Sequence, residues 1–251
     1  MNDHEKKNIT IRFYEELNVF LKPVNRKVRF DYSFWGTPSV KDIIESLGVP
    51  HTEVDLILVN NKSVNFDYLV YNGEDIAVYP VFESFDIRNI QHLRPLPLRE
   101  TKFILDVHLG KLAKLLRFCG FDTYYKNTLT DDEIITISIN EKRTILTRDV
   151  GILKNSKVDR GYFIRNTKAE NQLLEVIKRF DLKNSLNPFS RCSICNSLLI
   201  PVEKKTIIAE LPPKVVEYYN EFCKCEQCNK IYWRGSHFQK LNSVIKRAKE
   251  E

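Results

Sequence analysis

Two groups of side chains in this sequence are spaced to act together. The first is Cys192-x-x-Cys195 and Cys225-x-x-Cys228, two knuckles with twenty-nine residues between them. Each knuckle turns two thiolates toward one point, and the pair supplies the four ligands of a closed tetrahedral Zn²⁺ site, which holds structure rather than substrate. Cys223 is a spare thiol, and the spacing favours Cys225 and Cys228 over it. The second group is acidic: Asp106, Asp131, Asp132 and Asp149, with Glu133 beside them. Carboxylates gathered in one pocket cannot all stay ionised without a cation. Mg²⁺ or Mn²⁺ suits them, because hard ions take oxygen ligands and, in phosphoryl chemistry, activate water and offset developing negative charge. Each acid also has a structural reading. Asp106 and Asp131 can cap helices, Asp132 and Glu133 can complement a helix dipole, and Asp149 can be a surface turn residue.

The elements around the acids decide whether they meet. Asp106 ends the apolar run TKFIL, Asp149 follows the run TILT with Arg148 between, and Asp131 opens the helical pattern DDEIITISINEK. Strand, helix, helix and strand in that order predict an α/β fold with a parallel sheet, whose carboxyl edge collects residues distant in sequence. The helix after Asp106 carries Leu109, Leu112, Ala113 and Leu116 on one face and Lys111, Lys114 and Arg117 on another arc. With Arg148, these cations suit the phosphates flanking a scissile bond; the other reading is a solvated helix face. Past the second knuckle, Trp233, Arg234 and His237 mix an aromatic ring with cationic groups, which suits unpaired bases of single-stranded RNA. Trp233 can equally cap the ribbon core. The segment KKTIIAEL and residues 215–222 read as ribbon strands.

At these residues the chain resembles the PIN-like nuclease superfamily, and more closely the Mut-seven C-terminal RNase domain family. The resemblance is carried by FILDVHLGKLAKLLRFCGFDT from Phe103, DDEII from Asp131, RTILTRDVGIL from Arg143, and a terminal zinc ribbon with a W-x-G-S-H tail. It implies a metal-dependent ribonuclease in which Asp106, Asp131 and Asp149 hold Mg²⁺ or Mn²⁺. Asp131 lies eighteen residues before Asp149, and a one-residue shift would put Asp132 in its place. Many PIN domains have another acid on an earlier helix, and LGKLAKLLRF has none. The alternative is therefore an RNA-binding adaptor with weak or no catalysis.

Upstream, the order ITIRFY, KVRFDY, SVKDIIESLG, EVDLILVN and DIAVYPVF reads ββαβ and then a last strand, and resembles the β-grasp fold of ubiquitin and the small sulfur carriers. A sulfur carrier needs a free terminal Gly-Gly. Here the chain runs on, so a docking or stabilising module with a protein partner is expected. The expected domains are a β-grasp (α+β) module at 1–85, a linker at 86–100 rich in Pro and Arg, a PIN-like domain at 101–184, and a zinc ribbon with a terminal helix at 187–251. A net charge of +6 and a pI of 8.9 favour anionic partners, RNA first and DNA next. No apolar signal core or long apolar run is present, so the cytoplasm is expected, where CxxC pairs bind metal rather than form disulfides.

Overall fold

The computed structural model describes residues 6–80 and 101–250, apart from the side chains of 236, 237, 240, 241 and 248–250; the linker at 86–100 lies outside the described residues. The chain forms two compact units, Met1–Arg99 with Asp149–Phe163, and Glu100–Arg148 with Ile164–Glu251.

In the first unit, strand β1 (Lys7–Phe13) buries Ile9, Ile11 and Phe13 on alternate positions, as a half-covered strand must. It pairs antiparallel with β2 (Phe30–Phe34). Helix α1 (Val40–Ser46) starts in a capping box, with Ser39 and Asp42 satisfying each other's backbone N–H groups, and buries Val40, Ile43 and Ile44. Strand β3 (Val54–Val59) turns into β4 (Lys62–Ser63) through Asn60 and Asn61, both left-handed at φ 48° and 64°. Strand β5 (Asp75–Pro80) inserts between β1 and β3, parallel to β1, giving the order β2-β1-β5-β3-β4. This is the expected β-grasp sheet, with α1 in its core.

The second unit opens with β6 (Phe103–Leu105), whose three side chains are all fully buried. Such a strand belongs in a parallel sheet covered on both faces, where each large apolar side chain contributes about 1.5–3 kcal/mol. A 3₁₀ turn leads into α2 (Gly110–Phe118), then β7 (Thr123–Tyr124), α3 (Asp131–Glu141) and β8 (Thr144–Thr147). Strands β7, β6 and β8 are parallel, with Phe103 opposite both Thr123 and Thr144. Helix α4 (Val150–Lys154) and strand β9 (Gly161–Phe163), which the sequence reading puts in the nuclease domain, group with the first unit. Helix α5 (Ala169–Arg179) returns to pack on α2.

The ribbon strands are β10 (Leu199–Val202), β11 (Phe222–Cys225) and β12 (Ile231–Trp233), antiparallel in that order. The long spacer between the knuckles differs from expectation. KKTI forms the short helix α6 (Lys204–Ile207), and α7 (Pro213–Tyr218) follows, so the stretch between β10 and β11 is helical where strands were expected. Pro213 explains part of this: it has no N–H for a sheet ladder, and its fixed φ suits the first helical turn. Helix α8 (Ser236–Glu250) ends the described chain and packs on α5. Among the described residues, no helix is long and apolar enough to cross a membrane.

Candidate nuclease site and zinc centre

Asp106 sits at the carboxyl end of β6 and is only 4% exposed. Its Oδ1 accepts the His108 N–H at 2.8 Å, which caps the 3₁₀ turn. Its Oδ2 accepts the Arg148 N–H at 3.1 Å and a short hydrogen bond from the Thr147 hydroxyl. The capping role is thus real, and the same bonds fix the carboxylate between the ends of β6 and β8. Asp131 and Asp132 are exposed in the first turn of α3. Neither is the cap. That place belongs to Thr130, in a capping box with Glu133 whose carboxyl is held below the ordinary glutamate range by hydrogen bonds from the Thr130 N–H and hydroxyl. Because α3 packs on β6 and β8 and leads back into β8, its first turn lies at the carboxyl edge of the sheet, the edge Asp106 occupies. Asp149 is exposed and caps α4 through the Gly151 N–H at 2.6 Å.

The predicted cations divide. Lys111 and Lys114 are exposed and line a cleft of 1020 Å³ with His108 and Lys168. Gly110 lies at the foot of this cleft, where a Cβ would come within 2.5 Å of the Tyr125 hydroxyl. Arg117 is corrected from a phosphate contact to a buried structural residue, 4% exposed. Its Nε donates to the Thr123 carbonyl at 2.9 Å and its Nη1 to the Ile194 carbonyl at 2.6 Å. Burial pulls its pKa down, and the neighbouring Cys192, Cys195 and Asp122 oppose that fall. Arg148 is exposed, but its Nη1 lies 2.9 Å from the Ile164 and Arg165 carbonyls and 2.8 Å from that of Asn166, so much of its reach is spent on its own chain.

The four predicted cysteines converge. Their sulfur atoms all lie within 4.8 Å of one another, with Cys192 to Cys228 at 3.5 Å and Cys195 to Cys225 at 3.3 Å. A disulfide is about 2.0 Å long, whereas thiolates on one tetrahedral Zn²⁺ stand about 3.8 Å apart, so the geometry fits the ion. All are free thiols, and Cys223 stays outside the cluster. Burial pushes the Cys225 thiol up to about 12; for Cys195 hydrogen bonds from Ser197 outweigh burial and bring it down to about 6. Among the described residues, this is the group of His, Cys, Asp or Glu drawn together tightly enough for a metal, and it includes none of Asp106, Asp131 and Asp132.

A model of the family described as Mut7-C RNAse domain matches residues 101–245. The chain belongs to that family. A second model, described as Mut7-C ubiquitin, matches residues 6–86 ahead of it. A search of curated proteins and a search of solved structures each gave no match. Membership in the Mut7-C RNAse family gives the chain an RNA-related nuclease function in outline.

In this Mut7-C chain the ribbon aromatics serve more than one purpose. Trp233 is half-buried and packs on Ile207, Leu211 and Phe222, so the core-capping reading holds for one side of the ring. Arg234 is exposed, with its guanidinium 5.7 Å from the Phe238 ring centre. The side chain of His237 lies outside the described residues. Tyr232, in the aromatic run past the second knuckle, places its hydroxyl 3.1 Å from both Cys192 Sγ and the Ser193 N–H, and sequence reasoning missed Asn196, which accepts the Thr123 N–H and donates to Asp122. Adjacency to a knuckle was the signal available for Asn196.

Proposed function

We propose that this protein is a metal-dependent ribonuclease that cleaves RNA phosphodiester bonds at an aspartate-rich site holding Mg²⁺ or Mn²⁺, with the zinc ribbon assisting RNA binding. The observation that carries this reading is Asp106: in an RNase-family domain, a buried and fully oriented carboxylate stands at a strand's carboxyl end, one short turn before a lysine-lined cleft. Asp131, Asp132 and Asp149 are the further acids proposed to complete the site. An all-carboxylate donor set with exposed members open to water is what Mg²⁺ or Mn²⁺ prefers. When bound, the ion supplies an activated water and neutralises charge at phosphorus. The chain's own residues do the rest. The Thr147 hydroxyl and the His108 and Arg148 N–H groups hold Asp106 in a fixed orientation. Lys111 and Lys114 hold the phosphates on either side, and with Lys168 they give the cleft a cationic lining that suits a polyanion. Four thiolates close the zinc site, so its ion is assigned structure alone. Reduced CxxC pairs support a cytoplasmic setting.

A second reading, an RNA-binding adaptor with little catalysis, is favoured by α2, which carries no acid, and by the looser spacing of the acids relative to the cysteines. The deciding experiment incubates labelled single-stranded RNA and Mn²⁺ with the wild type and with an Asp131→Asn, Asp149→Asn variant. Cleavage by the wild type alone is expected. RNA binding without cleavage by either protein would favour the adaptor, and equal cleavage by both would sink the assigned site.

A further inference from the structure

A second cavity, of 420 Å³, lies between α2 and the zinc ribbon and is used by neither the acids nor the zinc ligands. Its walls are the rings of Phe118, Phe189, Tyr232, Trp233 and Phe238. These rings meet at steep angles rather than in parallel stacks: Phe189 and Phe238 stand 4.9 Å apart at 83°, and Phe118 and Phe189 5.7 Å apart at 79°. Together the five rings give the cavity an aromatic lining against which a planar guest can pack. Lys114 and Lys230, both exposed, border the cavity. Lys114 also lines the larger lysine cleft, so a strand whose phosphates follow that cleft reaches the aromatic cavity without leaving a cation.

We infer that this cavity is a nucleobase pocket that takes one unpaired base of single-stranded RNA, with Lys114 and Lys230 on the flanking phosphates. The choice of RNA rests on the ribonuclease reading; the choice of a base rests on the cavity. Its volume is at the small end of the range for ligand pockets, about 300–1,000 Å³. That is roughly one turn of α-helix, about 10 Å wide and 5.4 Å long, too little for the i, i+3, i+7 anchors of a docked amphipathic helix. Aromatic faces with cations at the rim match stacking plus phosphate contact, the combination that binds single strands with little sequence preference. The pocket is also held in shape before any ligand arrives. The Tyr232 hydroxyl is tied to Cys192 and Ser193 of the first knuckle, so the zinc site anchors one wall. Gly235 lets the Trp233 indole fold over it, since a Cβ there would come within 2.7 Å of Nε1.

The test uses the full-length, zinc-loaded protein with no Mg²⁺ or Mn²⁺, and fluorescence anisotropy of a labelled oligouridylate against an abasic strand of the same length and charge. Stacking on aromatic residues predicts binding at least tenfold weaker for the abasic strand. Lys230→Ala should weaken both strands alike and lessen the salt dependence of affinity. Leu115→Trp, which fills the cavity from α2, should remove the preference for base-bearing RNA while zinc content and melting temperature stay at wild-type values. Equal affinity for the two strands would overturn the inference, as would a base preference that survives Leu115→Trp. Absence of all RNA affinity at low salt would overturn it in favour of an apolar protein contact. Base-dependent binding without cleavage in Mn²⁺ keeps the pocket and removes the nuclease reading; cleavage without base dependence does the reverse.

Discussion

Nη1 of Arg117 donates to the carbonyl of Ile194 at 2.6 Å, a bond spanning seventy-seven residues of chain. Ile194 stands between the two cysteines of the first zinc knuckle, and Arg117 belongs to the helix that carries Lys111 and Lys114. Asn196 and Arg191 reinforce this seam from the ribbon side through Thr123, Asp122 and Gly120. The zinc knuckle is thereby part of the folded nuclease core rather than an arm attached to it. Replacing Arg117 with Ala should leave buried carbonyls unpartnered, and should destabilise the second unit by about 2–4 kcal/mol. Denaturant midpoints and zinc content measured together would check this; Lys111→Ala, on the exposed arc, should alter neither and weaken RNA binding instead.

Zinc removal should be felt beyond the ribbon for the same reason. Cys225→Ser should lose the stoichiometric metal and lower the melting temperature of the whole second unit, whereas Cys223→Ser should keep one Zn²⁺ per chain, because Cys223 lies outside the sulfur cluster. Metal analysis and calorimetry on both variants would decide it. Loss of zinc with unchanged melting would refute the shared fold.

Asp106 and Asp149 should respond differently to the same change. Asp149 accepts the Gly151 N–H, a role an Asn side chain keeps, so Asp149→Asn should retain the α4 cap and lose cleavage. Asp106 accepts from three donors while buried, and an amide turned toward them must face at least one with its own N–H. Asp106→Asn should therefore cost about 1–3 kcal/mol of stability besides activity. Thermal melts beside RNA cleavage assays would separate the two effects.

Acid should loosen the seam through Asp122. Burial by itself would raise its carboxyl, but hydrogen bonds from Arg143 and Asn196 and the charges of Arg143 and Arg191 reverse this and hold it below the usual aspartate range. A depressed folded value means the stabilisation is complete above about pH 3.9, the ordinary aspartate value, and is lost as pH falls through the folded one. Asp122→Asn should be less stable than wild type at neutral pH and show a smaller further loss below about pH 4. Urea midpoints across that range would reveal either outcome.

The β-grasp unit holds the segment that follows Asp149. His51, 7% exposed, places Nε2 2.8 Å from the Val158 carbonyl and Nδ1 2.6 Å from Glu45, while Lys154 donates to the Glu45 carbonyl and the Phe163 N–H to Glu53. His51→Ala should speed amide exchange across residues 150–163 and leave β6 and α2 protected. Uniform exchange in variant and wild type would argue against this clamp.

Much of the architecture was legible because it is written in short-range patterns. Period-two burial in β1, the fully apolar β6, the capping residue Ser39, and the Asn60-Asn61 turn each depend on a few neighbouring residues. The cysteine ligands were legible for the same reason, since a knuckle is local and only its pairing is not.

What the sequence by itself determined, then, is the order of the elements, the β-grasp and parallel-sheet classes, and the four thiolates. Tertiary structure decided what distant pieces do to one another. It turned Arg117 inward, because a knuckle seventy-seven residues away covers the helix arc that periodicity marks as solvent. It made α6 and α7 of a segment with strand-like composition, and it gave residues 149–163 to the β-grasp unit. It also built an aromatic cavity from residues on α2, the ribbon and α8. Helix and strand patterns record which side of an element is apolar, and packing against remote chain then settles which polar side chains are left to water.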